Sequence, residues 1–234
     1  THFFHMIFYS FLNPSFIFHL RNKVTNSNLK FHESKILFKP FLISLVKRTC
    51  KPNILLDEKV FIAELLHPKT QNEAFRKLLQ LYQKPLYHHI RGIVLNHDDT
   101  DDVLQNTFIK VHSNLHKFKG DCKLFSWMYR IATNESLTFI QQRAKKQGIS
   151  NEEVKEKALQ KLESDLYFDG DEIQLKLQRA VACLPEKQQL VFKMKYFEAL
   201  KYEEISEILT TSVGALKASY HLAVKKIEHF LKTD

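Results

Sequence analysis

Near the end of the chain, Gly214, Lys217, Ala218, His221 and Lys225 recur at intervals of three, one, three and four residues, with Ser212 just ahead of them. At 3.6 residues per turn the five fall on one side of a helix, and Ser212 stands where a hydroxyl can cap its start. The set is small or basic. Small residues permit close approach, Lys and His reach phosphates or base edges, and a helix N-terminus suits a phosphate. The other side carries Val213, Leu216, Tyr220, Val224, Ile227 and Leu231, spaced three, four, four, three and four, an apolar face that packs inward. Periodicity alone fits a solvated basic face equally well. The short helix Tyr202–Leu209 and the tight turn Thr210-Thr-Ser ahead of it make a helix-turn-helix layout, which favours duplex DNA.

A second constellation is Phe125-Ser-Trp-Met-Tyr-Arg-Ile-Ala-Thr-Asn. Unpaired bases stack on aromatic rings and are gripped by basic groups, and a flipped base needs a pocket to receive it. Trp127 is the candidate stacking platform. Lys119, Lys123, Arg130 and Arg143 are candidate cations, and Asn134 can read a base edge. The competing reading places Phe125, Trp127 and Ile131 in a core. It is adopted for Ile131 and stays open for Trp127. A third group, Asp101, Asp102 and Gln105, clusters on one side of a helix whose stripe is Leu104, Phe108, Val111 and Leu115. An exposed acidic edge suits a basic protein partner, although acids at a helix start also act as caps.

These residues must be held by helices. Glycine and proline number only 5 and 6, and the 44% hydrophobic content is enough to bury a core. Apolar residues from Phe61 to Val94 recur at helical spacing, interrupted by Pro68 and Pro85. Asp99 or Thr100 should cap a helix from Asp101 to about Leu115, and a further helix should span about Leu124 to Lys145. Ile173–Leu184 reads as the next, and Pro185 opens one that runs to about Tyr196. Val213–Leu231 closes the series. Residues 151–172 hold eight acids and three lysines and read as a linker with transient helix.

The net charge of +9 is unevenly placed. Residues 1–56 hold eight Lys/Arg and one acid, Glu33, leaving 27 basic against 25 acidic residues in the rest. Nucleic-acid binding must therefore rest on local patches. Phe3–Leu20 is apolar, but His5, Asn13, Pro14 and His19 interrupt it and its positive charges follow rather than precede it. That order is wrong for a secretory signal and the segment is not clean enough for a membrane span, so no stable membrane insertion is expected. Residues 1–56 read as a disordered or non-native extension. Cys50, Cys122 and Cys183 are isolated, which argues against a zinc site or disulfide framework and for a reduced, cytoplasmic setting. The histidines lack metal spacing: His88 and His89 are adjacent, on different helix faces, and read as solvated or half-buried. No paired catalytic carboxylates, nucleophile motif or phosphate-cradling glycine loop is present, so neither an enzyme nor a cofactor is expected.

Three stretches together resemble region 4 of extracytoplasmic-function (ECF) sigma factors: Leu184-Pro-Glu-Lys-Gln-Gln-Leu-Val-Phe, Tyr202-Glu-Glu-Ile-Ser-Glu-Ile-Leu and Ser212-Val-Gly-Ala-Leu-Lys-Ala-Ser-Tyr-His-Leu-Ala. That domain reads the −35 promoter element. Gly214, Lys217, His221 and Ala223 match the family pattern, while Ser219 and Leu222 stand where it has arginines. Asp101-Asp-Val-Leu-Gln-Asn-Thr-Phe is similar to the region 2 run that contacts the polymerase clamp helices, and Phe125–Asn134 resembles regions 2.3 and 2.4, which capture the −10 element as single strand. Thr138 stands where the family has an Asp.

The resemblance implies an all-α fold of two small helical domains, a region 2 bundle and a region 4 helix-turn-helix, joined by a flexible acidic linker. The divisions read 57–147 for region 2, 148–172 for the linker and 173–234 for region 4. It also implies an alternative sigma factor that partners core RNA polymerase and promoter DNA, with an anti-sigma factor as a further partner. Asp101, Asp102 and Gln105 would meet polymerase. Lys119, Lys123, Trp127, Arg130, Asn134 and Arg143 would meet the −10 strand. Ser212, Gly214, Lys217, Ala218, His221 and Lys225 would meet −35 duplex. Two rivals are a stand-alone helix-turn-helix regulator, which the strings at 101–108 and 125–134 disfavour, and a helical protein-binding adaptor, which the modest charge of 57–234 leaves in play.

Overall fold

A computed structural model describes residues 57–162 and 172–233, and the reading of residues 1–56 as an extension lies outside these. Helix α1 (Glu58–Leu66) starts where the Asp57 carboxylate accepts from the Lys59 amide at 3.0 Å. Helix α2 (Gln71–Val94) follows after the turn that holds Pro68. It runs unbroken through Pro85, which the sequence reading had as an interruption. An interior proline costs roughly 3 kcal/mol, but Leu78, Tyr82, Leu86 and Ile90 line one face of α2 and are almost wholly buried, so packing on both sides outweighs the break. Helix α3 (His97–Asn114) starts four residues earlier than expected. Its cap is Asn96, whose side chain accepts from the Asp99 amide at 3.0 Å, so Asp98 and Asp99 occupy the first turn. After a 3-10 turn, Leu115–Lys117, helix α4 (Leu124–Gln147) extends to Gly148, which takes the left-handed conformation that ends helices.

Helices α2, α3 and α4 pack pairwise into a bundle, with α1 laid on α2. Tyr129 of α4, fully buried, is the largest side chain of the core. Around it lie Phe61, Leu65, Leu78, Leu86, Ile90, Val103, Val111 and Met128.

Within the acidic segment, Asn151–Leu162 is a regular helix, α5, where transient helix was expected; the linker reading of residues 163–171 lies outside the described residues. The Ser150 hydroxyl accepts from the Glu153 amide at 3.1 Å to start it. Val154 packs with Ile93, Ile140 and Ala144, and Leu159 with Leu95. Composition shows the charges of this segment but not the apolar sites that α2 and α4 offer it.

The remaining helices are α6 (Glu172–Ala182), α7 (Glu186–Phe192), α8 (Tyr202–Leu209) and α9 (Val213–Thr233), with a π-helical turn at Lys193–Phe197. Pro185 precedes α7 as its cap rather than serving as its first residue, and the π turn ends the regular helix at Phe192, short of Tyr196. Helix α9 packs on α6, α7 and α8 through Leu216, Ala223 and Ile227. Leu231, assigned to that apolar face, is 37% exposed near the helix end. The described helices belong to one compact unit, and α8 packs directly on α4. Among the described residues, no helix is long and apolar enough to cross a membrane.

Candidate nucleic-acid interface

Helix α9 owes its orientation to its own two-sidedness. Leu216, Ala223 and Ile227 are buried and Tyr220 stacks on Phe192 with ring centroids 5.8 Å apart, so the opposite side faces out. Ser212, Gly214, Lys217, Ala218, His221 and Lys225 are all exposed. The Ser212 hydroxyl accepts from the Ala215 amide at 3.4 Å. The preceding turn is closed by Thr210 in the left-handed region, φ 50°. A Cβ built on Gly214 would meet nothing within 4 Å, so no internal packing requires glycine there. The Lys217 ammonium lies 5.8 Å from the centre of the Tyr202 ring, and that of Lys195 4.6 Å from it. Tyr202, at the start of α8, thus sets two cations beside the exposed face, a role the sequence reading missed; burial raises its phenol pKa.

On α4, Lys123, Trp127, Arg130 and Asn134 form a single stripe at intervals of four, three and four. Lys123 and Asn134 are exposed, and Trp127 is half-buried with its ring 5.1 Å from that of Phe118, so it belongs partly to the core and partly to the surface. Phe125 is buried against Tyr129. Lys119 is exposed on the loop before α4, beside Gly120, whose φ of +79° makes the turn. Arg143 does not join the stripe. Nine residues beyond Asn134, it points to the other side of α4, where it pairs with Asp99.

The stripe is already engaged from within the chain. The Arg130 guanidinium donates through Nε to the Glu207 carbonyl at 3.1 Å, and through Nη2 to the same oxygen. Lys123 Nζ lies 3.9 Å from a carboxylate oxygen of Glu204. Nearby, His89 of α2 is 2% exposed and joins three elements. Its Nδ1 is 2.9 Å from Glu198 Oε1 and its Nε2 is 2.9 Å from Thr133 Oγ1 on α4. His89 is therefore a buried tie rather than a solvated histidine. Spacing could not reveal this, because Glu198 is 109 residues away. Beside it, Lys193 is buried. Loss of hydration first, and the Lys155 cation second, lower its pKa to about 7 against the opposing pull of Glu198.

Asp101, Asp102 and Gln105 are exposed along the outer edge of α3. Ile109, one turn beyond Gln105, is 63% exposed and extends this edge as an apolar spot. Its place on the outer side of the Leu104–Phe108–Val111 stripe was readable from the sequence.

The sequence matches the family models "Sigma-70 region 2" over residues 78–146 and "Sigma-70, region 4" over residues 174–227. It is 27% identical over 162 residues to the ECF RNA polymerase sigma factor SigW of Bacillus subtilis, covering 65% of this chain and 86% of SigW. It is 29% identical over 171 residues to the RNA polymerase sigma-H factor of Pseudomonas aeruginosa, covering 68% and 86%. The fold is similar to that of the sigma factor RpoE in its co-crystal structure with the anti-sigma factor NepR from Bartonella quintana. There the TM-score is 0.53 at 18% identity, over 69% of this chain and 99% of RpoE.

Proposed function

We propose, on the premise that this chain belongs to the extracytoplasmic-function sigma factors of bacterial RNA polymerase, that its three exposed surfaces divide that family's task. The chain is an alternative sigma factor that directs core RNA polymerase to specific promoters and helps initiate transcription. In this reading residues 57–147 form the region 2 part, 148–172 connect, and 173–234 form the region 4 part. The α3 edge of Asp101, Asp102 and Gln105 meets a basic surface of core polymerase. The α4 stripe of Lys123, Trp127, Arg130 and Asn134, with Lys119, takes the −10 strand by stacking and charge. Arg143, tied to Asp99, acts on that site by bracing α4 against α3. Helix α9 enters the −35 major groove. RpoE's complex with NepR supports an anti-sigma partner for this chain also.

The observation that carries the reading is the exposure of Ser212 and of the five α9 positions Gly214, Lys217, Ala218, His221 and Lys225 while Leu216, Ala223 and Ile227 are buried behind them. The test pairs two assays on the full chain. Asp101→Lys with Asp102→Lys should weaken binding to core polymerase. Lys217→Ala with His221→Ala should leave that binding intact and weaken the holoenzyme's hold on −35 duplex. Unchanged polymerase binding in the first variant would remove α3 from the interface. A stand-alone regulator would lose duplex binding in the second variant without any need for polymerase, and an adaptor would lose nothing.

A further inference from the structure

The outward side of α9 carries two parallel ridges. Lys217, His221 and Lys225 recur every four residues, and so do Gly214, Ala218 and Leu222, each three positions ahead of its basic neighbour. All six are exposed, and Leu222, the largest of the apolar three, is 49% exposed. Residues four apart stand one above the other on a helix, in steps of roughly 6 Å along the axis. The basic and apolar ridges therefore run side by side across one face, while Leu216, Ala223 and Ile227 hold the opposite side to the rest of the chain. An exposed leucine taken alone means little. This one is set among cations: Lys225 and the exposed Lys226 lie three and four positions on, and no acid occurs from Ser212 to Ile227. Such a face suits a partner that is anionic yet presents isolated apolar groups. The major groove of duplex DNA is that kind of surface, because phosphates line its rims and thymine alone among the bases places a methyl in it. Side-chain size also grows along the apolar ridge, from none at Gly214 to a methyl at Ala218 to an isobutyl group at Leu222. Open space at Gly214 lets the start of α9 approach closely, and Leu222 spans the gap that widens as a straight helix leaves a curved groove floor.

We propose that Leu222, backed by Ala218, reads the 5-methyl group of thymine in the −35 element, so that the chain selects a T·A pair under the apolar ridge. The proposal rests on the −35 reading of α9 given above and adds the base that this part of the helix prefers. Leu222 has no donor or acceptor, so it cannot bond to guanine O6 and N7 or to adenine N6 and N7. Set against those edges, or against a cytosine amine, it strips water from a polar group without replacing the bond, which lowers affinity. Set against a thymine methyl, it buries apolar surface on both partners. The basic ridge beside it supplies charge towards the phosphates, and the apolar ridge supplies discrimination.

The test uses holoenzyme assembled from the full chain and core polymerase of the source organism. The probe is the duplex promoter fragment that gives the strongest run-off transcript, with the thymines of its −35 element replaced one at a time by uracil, which pairs identically and lacks only the methyl. Uracil at one or two neighbouring positions should weaken binding about four-fold each, the worth of one buried methyl, and should change nothing elsewhere in the element. Leu222→Ala should bind the thymine probe about four-fold less tightly and no longer distinguish uracil at the position Leu222 reads, whereas Leu222→Met should keep the distinction. The side chain is exposed, so Tm and binding to core polymerase should be unchanged in both variants. Indifference to uracil, or a −35 element without thymine on either strand, overturns the proposal; if Lys217→Ala with His221→Ala still weakens duplex binding, the α9 reading stands. An equal loss by Leu222→Ala on thymine and uracil probes also overturns it and makes the leucine a contact for protein. If the double variant binds the duplex as the unaltered chain does, or no promoter is transcribed, α9 does not read a −35 element and the proposal falls with that reading.

Discussion

Gly214 shows how a single residue separates fold from function. Open space surrounds the position of its missing Cβ, so Gly214→Leu should fold with a nearly unchanged Tm and still lose affinity for −35 duplex. Parallel melting and duplex-binding titrations check this. Lys217→Ala and His221→Ala should each cost about 1–3 kcal/mol where they contact a base edge, read as a promoter-selective loss. These positions were legible in the sequence because a surface helix face is set by period alone. Lys193 was not, because its burial, and the Lys155 cation that acts on it, come from tertiary packing rather than from the local pattern. Its folded pKa of about 7 lies below the ordinary 10.5, so between those values the unfolded chain binds a proton that the folded chain does not. Stability should therefore rise with pH across that window. Lys193→Met should flatten the rise and raise Tm near pH 7, as followed by thermal melts at several pH values.

At the scale of elements, the sequence located the helices well wherever an apolar stripe and a cap coincide. Tyr202–Leu209 appears with the predicted bounds, and α9 begins at Val213 as expected. The reading failed where long-range packing overrides a local signal. Pro85 is carried inside α2 by the burial on either side of it, and the charged segment after Ser150 becomes helix because Val154 and Leu159 find apolar partners. Leu159 is 4% exposed, so Leu159→Ala should destabilise the chain by roughly 2–3 kcal/mol in denaturant unfolding. A flexible linker would show no such effect. Conversely, Thr210 holds a left-handed φ at the turn of the helix-turn-helix, where a β-branched side chain is disfavoured. Thr210→Gly should stabilise by about 1 kcal/mol, as measured by the same unfolding curves, with DNA binding preserved.

For the whole molecule, the sequence pointed to two helical halves, and both halves are present. That they share a core was not legible: Leu200, Ile205, Ile208 and Leu216 join the cluster built around Tyr129 although they lie far from it in sequence. Period and capping describe one helix at a time, whereas the α4–α8 contact depends on which faces meet. The α9 face proposed for duplex DNA is exposed, while on the α4 stripe Arg130 is held by the Glu207 carbonyl of α8 and Lys123 and Asn134 stay exposed. The most direct measurement is run-off transcription of genomic promoter fragments by core RNA polymerase of the source organism, with and without the full chain. Discrete transcripts that require the chain, and that disappear with Lys217→Ala/His221→Ala while polymerase binding is retained, are the predicted result. A chain that neither yields transcripts nor binds core polymerase, yet shifts duplex DNA by itself, would contradict the account.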